Sequence, residues 1–302
     1  MWFVISLIAF FMLALAAVID KFLLAQTKIV PVSFAFYISL GGIFGSILLI
    51  FEHNFYFPLS QSIILMLGGF ALFFGLYFMF LAVAKSEVSK SNPIIVSFTP
   101  LFVFLLSLLF GLELVTWQRI VGMLLILCGG YLLSQVGSAR ARLNRQVWRF
   151  IIISSLMLGA SNVFSKIAYD HLPFINAFVW LRWFTVLAAV LFVTVTYNWP
   201  AVLLKQPGQS GKLGLKSAIW ILILGQVAGS LGVILLQYAI KLGNVILVTA
   251  LNGVQFFFVI ILIYFFSKAY PRVLQENISQ KFIFQKIIWS LFLTLGVVLI
   301  LI

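Results

Sequence analysis

The chain has 302 residues, 64% apolar and 8% charged, with a mean hydropathy of +1.22 and a formal net charge of +13. Soluble domains carry about 25% charged residues, so this composition excludes a soluble enzyme, a disordered scaffold and a conventional nucleic-acid-binding domain. A span needs about 20 apolar residues, and the predicted elements fill almost the whole length with spans.

The first span covers 2–22. Its start, MWFVISLIAFFMLALAAVID, has no basic residue ahead of the apolar run, and the run is too long for a cleaved leader, so it is expected to be kept. Pro31 opens a second span, 31–51, which Glu52, His53 and Asn54 close ahead of Pro58. Three more follow at 60–83, 92–112 and 117–136, the first of them ending before Lys85. After an arginine-rich connection come 149–168, 173–195, 217–239, 243–266 and 284–302, separated by Pro173 and by the basic stretches 205–216 and 268–281. The single Cys128 lies in an apolar run, which excludes an intramolecular disulfide or a Cys zinc cluster.

The two halves repeat. VIDKFLL (18–24) matches VFSKIAY (163–169), aligning Lys21 with Lys166, and PVSFAF (31–36) matches PFINAF (173–178). FLAVAKSE (80–87) matches LQYAIKLG (236–243), aligning Lys85 with Lys241. QRIVGMLLILCGG (118–130) matches QKIIWSLFLTLGV (285–297), aligning Gly129 with Gly296. Four matches in one order indicate duplication, with repeats at 1–138 and 139–302. Five spans per repeat is an odd number, so the second enters the membrane from the opposite side. The fold class expected is an all-α integral membrane protein, ten transmembrane helices in an inverted five-plus-five repeat, an arrangement used by secondary transporters.

Charge sorts the loops. Lys21, Lys28, Lys85, Lys90, four arginines between 140 and 149, and seven basic residues from Lys205 to Lys286 lie on one face, against Arg119, Lys166 and Lys241 on the face that holds both termini. By the positive-inside rule the basic face is cytoplasmic and both termini lie outside, in a plasma (inner) membrane.

The paired repeat, the stretch 82–133 with Pro100, Glu113, Gln118, Gly122 and Gly129, and the P-x-x-x-A-F-x-x-x-R pattern ending at Arg182 together resemble the drug/metabolite transporter superfamily, specifically its EamA-type transporters. The resemblance covers essentially the whole chain and implies export or exchange of amino acids, other small metabolites or, in related branches, sugar phosphates and nucleotide sugars. The chain departs from the pattern at Phe256, where Pro100 would repeat, in having no acidic match to Glu113 in the second half, and in its termini-outside orientation.

Ionisable groups inside a membrane are costly and mark function or a structural pair. Arg182 lies nine residues after Pro173, about 13 Å into its helix. It either grips a substrate carboxylate or phosphate with its planar fork or forms an ion pair with Glu113 or Glu52. Ser155, Gly159, Asn162 and Lys166 make one stripe on the sixth span, Gln226, Ser230 and Gln237 another on the eighth, and Asn252 and Gln255 lie three apart on the ninth. These stripes either line a wet pathway or join helices by hydrogen bonds. Trp180, Trp183, Tyr77 and Tyr238 are candidate walls for the substrate. Lys21 with Lys85, and Lys166 with Lys241, are candidate gate pairs that draw anions, or else snorkelling lysines. Asp20 lies near the far interface, about 28 Å along its helix, so no carboxylate falls at the midplane. Gly41 with Gly45 and Gly225 with Gly229 permit close helix contact.

Six scattered acids and two histidines in connections give no catalytic constellation, and no cofactor is expected. The function expected is a secondary transporter, exporter or exchanger, of a small polar or anionic metabolite such as an amino acid, working by alternating access. The alternative is a flippase for a polyisoprenyl-phosphate-linked lipid. The expected partners are a small-molecule substrate and the lipid bilayer, with a homodimer allowed and nucleic acid excluded.

Overall fold

The computed structural model describes residues 1–24, 31–86, 88–112, 116–136, 143–196, 199 and 215–269, with separate positions between 285 and 299; side chains at 20–24, 88–90, 215–223, 260 and 263–269 are excepted. Among these residues there is no strand. The helices are α1 (Trp2–Leu24), α2 (Pro31–Gly41), α3 (Ser62–Ala84), α4 (Val88–Leu109), α5 (Trp117–Gln135), α6 (Arg145–His171) and α7 (Phe174–Val195). They continue with α8 (Leu215–Leu242), α9 (Val245–Ala250) and α10 (Asn252–Ala269). Eight described stretches are long and apolar enough to cross a bilayer.

Two of the expected spans differ in detail. The second is α-helical only to Gly41 and continues as a 3-10 helix over Gly42–Phe51, a long run for that tighter winding. The ninth divides at Leu251 into α9 and α10. The break falls before Asn252-Gly253, a turn-forming pair. The tenth span lies mostly outside the described residues, and its described positions are helical.

Local sequence sets the ends. Asn244 caps α9, its Oδ1 accepting from the backbone of Ile246 at 2.8 Å and Leu247 at 3.3 Å. Gly111 ends the turn after α4 at φ +66, with Leu112 N bonded to Ser107 O and Gly111 N to Leu108 O, a Schellman closure that favours glycine.

Glycines let the helices approach. α3 runs antiparallel to α6: Gly68 faces Phe164 and Ser165, Gly75 lies under Leu158, and Ser154 Oγ donates to Gly75 O at 2.9 Å. α1 runs antiparallel to α8 in the same manner, with Gly232 under Leu13, Gly229 beside Ala16 and Gly243 against Trp2. α5 meets the last span through Gly129 on Leu293 and Trp289 O, and through Gly296 on Gly122 O and Ile126. The largest cluster of buried side chains, including Phe10, Tyr169, Phe178 and Ile240, joins α1, α6, α7 and α8. The outer surface carries exposed Ile43, Phe44, Ile47, Leu124 and Leu187, as bilayer contact requires. Cys128 is exposed in the stripe of Val121, Leu124 and Tyr131.

Candidate functional site

Arg182 is held between α7 and the 3-10 segment. Gly42 leaves room for the arginine stem, since a methyl there would lie 3.3 Å from Arg182 Cδ. Gly45 does the same for Phe178, one turn earlier on α7, where a methyl would lie 2.8 Å from the ring. Phe178 in turn supports the guanidinium, with Cζ 5.0 Å from the ring centroid, an attractive cation–π contact. Arg182 sits deep among protein atoms yet keeps part of its surface accessible. Among the described residues it has no acidic partner: Glu52 accepts from Asn54 N, and Asp170 pairs with Lys166 at 2.9 Å. Glu113 lies outside the described residues.

Tyr169 and Gln237 form a second polar pair. Tyr169 Oη donates to Gln237 Oε1 at 2.9 Å, joining α6 to α8. Tyr169 is within electrostatic reach of Arg182. Rings connect the two residues as well: Tyr169 to Phe174 at 5.2 Å, Phe174 to Phe178 at 5.6 Å, and Phe178 to the guanidinium. A phenol and an amide thus join α6 to α8, and a run of rings leads from that pair to the Arg182 cation on α7.

α7 anchors the 3-10 segment and the chain that follows it. Trp183 Nε1 donates to Ser46 Oγ at 2.8 Å and Trp180 Nε1 to Tyr56 O at 2.9 Å, while Phe55 stacks on Trp180 with centroids 5.5 Å apart. Trp180 therefore fastens the connection at 52–58, and its indole N–H is taken up by that backbone carbonyl.

The remaining candidates are distributed around the bundle. Ser155 is fully buried and donates to Ile151 O and to Ile95 O of α4, which joins two helices. Asn162, Asn252 and Gln255 are partly buried, and Gln226 is exposed on α8. α10, which carries Asn252 and Gln255, packs on α1 and α4. Lys166 and Lys241 do meet: Lys166 Nζ reaches Lys241 O at 3.2 Å, and Lys241 Nζ reaches Leu172 O at 3.4 Å. Lys85 donates to Gln146 Oε1 at 3.0 Å beside the Phe150 ring. The side chain of Lys21 lies outside the described residues.

Sequence reasoning missed Tyr169 and Asn176. Asn176, in the first turn of α7, is fully buried with both amide atoms unpartnered among the described residues. Gln61 Oε1 and Ser107 Oγ are buried without partners too. Gly68 against Leu181 and Gly69 against Thr185 make α3 parallel to α7, so Gln61 and Asn176 belong to the same end of the bundle.

Residues 1–135 match the EamA-like transporter family. The resemblance read from the sequence, to the drug/metabolite transporter superfamily, is borne out on that EamA-like segment. A solved crystal structure shares the fold with a TM-score of 0.64 at 16% identity, covering 98% of this chain and 95% of its own. No curated protein matches the chain. That first segment is thus similar to a transporter family, and eight described stretches of the chain are long and apolar enough to cross a membrane.

Proposed function

We propose that the protein is a secondary transporter that moves a small anionic or polar metabolite, such as an amino acid, by alternating access, with Arg182 as the substrate anchor. The observation that carries this reading is the Arg182 guanidinium, deep and accessible, with no acidic partner among the described residues. A charge left so in a membrane is expensive, and an anionic cargo would supply the missing partner.

The contacts support an inverted repeat, with units at 1–138 and 139–302. Aligning Lys21 with Lys166 and Lys85 with Lys241 carries Leu13 onto Leu158 and Gly232 onto position 76, one residue from the observed Leu158–Gly75 contact. Aligning Gly129 with Gly296 carries Gly122 onto Trp289 and Ile126 onto Leu293. The contact of Gly296 with Gly122 and Ile126 then becomes that of Gly129 with Trp289 and Leu293. Two units related in this way can exchange conformations around one central site. The charge bias of the loops favours a plasma-membrane orientation with both termini outside.

One observation favours the flippase reading as the alternative. The 3-10 segment has no buried residue and turns Ile43, Phe44, Ile47 and Ile50 outward while its glycines face Arg182 and Phe178. A phosphate headgroup at Arg182 would therefore lie one layer from the outer apolar surface.

The test is a thermal-shift screen of detergent-purified protein against amino acids, organic acids, sugar phosphates, nucleotide sugars and polyisoprenyl phosphates. A ligand at 100 times its Kd stabilises the fold by about 2.7 kcal/mol. A soluble ligand whose shift disappears in Arg182→Gln supports the carrier reading. Shifts from the lipid phosphates alone favour the flippase. Transport and binding unchanged in Arg182→Gln would overturn both.

A further inference from the structure

Two helix pairs, α3 with α6 and α1 with α8, are each packed through glycines. The pairs meet at the end of the bundle where Trp2 lies on Gly243: α6 touches α8 there, whereas α1 and α3 make at most marginal contact among the described residues. That junction is polar. Tyr169 Oη donates to Gln237 Oε1 at 2.9 Å, Lys166 Nζ to Lys241 O at 3.2 Å and Lys241 Nζ to Leu172 O at 3.4 Å. Each ammonium therefore meets a carbonyl at the C-terminal end of the other's helix, where the helix dipole favours a cation, and Asp170 holds Lys166 at 2.9 Å. Phe174, opening α7, touches both Tyr169 and Tyr238, with ring centroids 5.2 and 5.1 Å away. α9 follows α8 at this end and packs on α4 with only Leu247 not buried.

The aligned repeats put Leu24 opposite Tyr169, Leu81 opposite Gln237, Ala82 opposite Tyr238 and Val32 opposite Phe174. The first repeat keeps the two lysines, Lys21 and Lys85, but none of these hydrogen-bonding or ring partners, and Lys85 donates within its own pair, to Gln146 Oε1 of α6 at 3.0 Å. We infer that the Tyr169–Gln237 and Lys166–Lys241 contacts are a latch that holds the two helix pairs together at the end bearing Trp2, and that the carrier rests closed at this end because the other end has no equivalent. The inference rests on the alternating-access reading above and adds which end is held and by which residues. Polar contacts suit a latch, since water takes their place when the helices part and the net cost of each is small. The glycine contacts inside a pair would lose their packing outright, so the pairs move as units.

The test is double electron–electron resonance on the purified full chain carrying Cys128→Ser, with nitroxide labels at His171→Cys and Leu242→Cys, both exposed at the ends of α6 and α8. The otherwise unaltered latch is expected to give one dominant short distance. Tyr169→Phe, which keeps the ring and removes one bond, is expected to raise the ratio of long to short distances about fivefold, the scale of one net hydrogen bond. Lys241→Met is expected to act in the same direction, and the two together more strongly; each alone keeps the inference testable where the double variant fails to fold. Labels at Met66 and Ile152, exposed within the α3/α6 pair, are expected to keep one distance throughout, which separates opening from unfolding. Variants that melt earlier yet keep the single short distance between His171 and Leu242 would make the junction purely structural and overturn the inference. Short and long distances in equal measure with the latch residues intact would overturn it too, since nothing would then hold this end closed. The carrier reading is judged separately by the Arg182→Gln screen, whose result stands whichever way the distances fall.

Discussion

Leu158 lies directly over Gly75, so that a methyl on that glycine would sit 2.8 Å from the leucine Cδ2 and 3.0 Å from its backbone nitrogen. The contact fixes how closely α3 approaches α6, and Ser154 strengthens it by donating to the Gly75 carbonyl at 2.9 Å. Leu13 over Gly232 does the same for α1 and α8, with a methyl there 2.9 Å from Leu13 Cγ. In both cases part of the obstruction is backbone, which cannot rotate away. Gly75→Val and Gly232→Val are therefore each expected to destabilise the protein by about 1–3 kcal/mol, the usual cost of overpacking. Thermal unfolding in detergent measures this, and unchanged melting temperatures would show that the helices separate without cost.

The same contacts show what the sequence makes legible. Spans are announced by apolar runs and ended by Pro31, Pro173 and the basic loops, because the bilayer imposes one length on every helix. The 3-10 winding of Gly42–Phe51 is invisible in GIFGSILLIF, since a run apolar on every side has the same pattern at 3.0 or 3.6 residues per turn. The break at Leu251 carried a signal in Asn252-Gly253, masked by apolar residues on both sides. Arg182 is legible from its depth alone. Tyr169 is not: near the end of its helix it reads as one more interfacial aromatic, and its partner Gln237 lies 68 residues away. Trp180 reads as a wall for substrate, but the Tyr56 carbonyl that takes its N–H is 124 residues distant.

The cap on α9 gives a local prediction. Asn244 Oδ1 accepts from two backbone N–H groups that begin a helix of only six residues. Asn244→Ala is expected to cost about 0.5–2 kcal/mol, whereas Asn244→Asp retains the acceptor and most of the stability. Melting temperatures of the two variants separate the lost cap from a lost side-chain volume.

The tryptophans of α7 tether the 52–58 connection and the 3-10 segment. Trp183→Phe removes the bond to Ser46 Oγ, and Trp180→Phe removes the bond to Tyr56 O, while each keeps an aromatic ring in place. The double variant is expected to increase hydrogen exchange over residues 46–58 and leave α3 and α6 unchanged. Equal exchange in wild type and variant would show that ring stacking from Phe55 and Phe57 suffices as the tether.

Asn176 sets stability against transport. Its amide is fully buried and both polar atoms lack partners among the described residues, an arrangement that costs about 1–3 kcal/mol. Replacing such a group by an apolar one of similar volume removes the penalty, so Asn176→Leu is expected to raise the melting temperature. A polar group kept at this cost next to the first turn of α7, at the same end of the bundle as the equally orphaned Gln61 Oε1, is expected to find water or cargo when that end opens. The same variant should therefore transport more slowly in proteoliposomes while it melts later. A higher melting temperature with full transport would make the asparagine dispensable to the carrier cycle. A lower one would mean that its amide is bonded after all, and the orphaned pair would lose its meaning as a mark of the pathway.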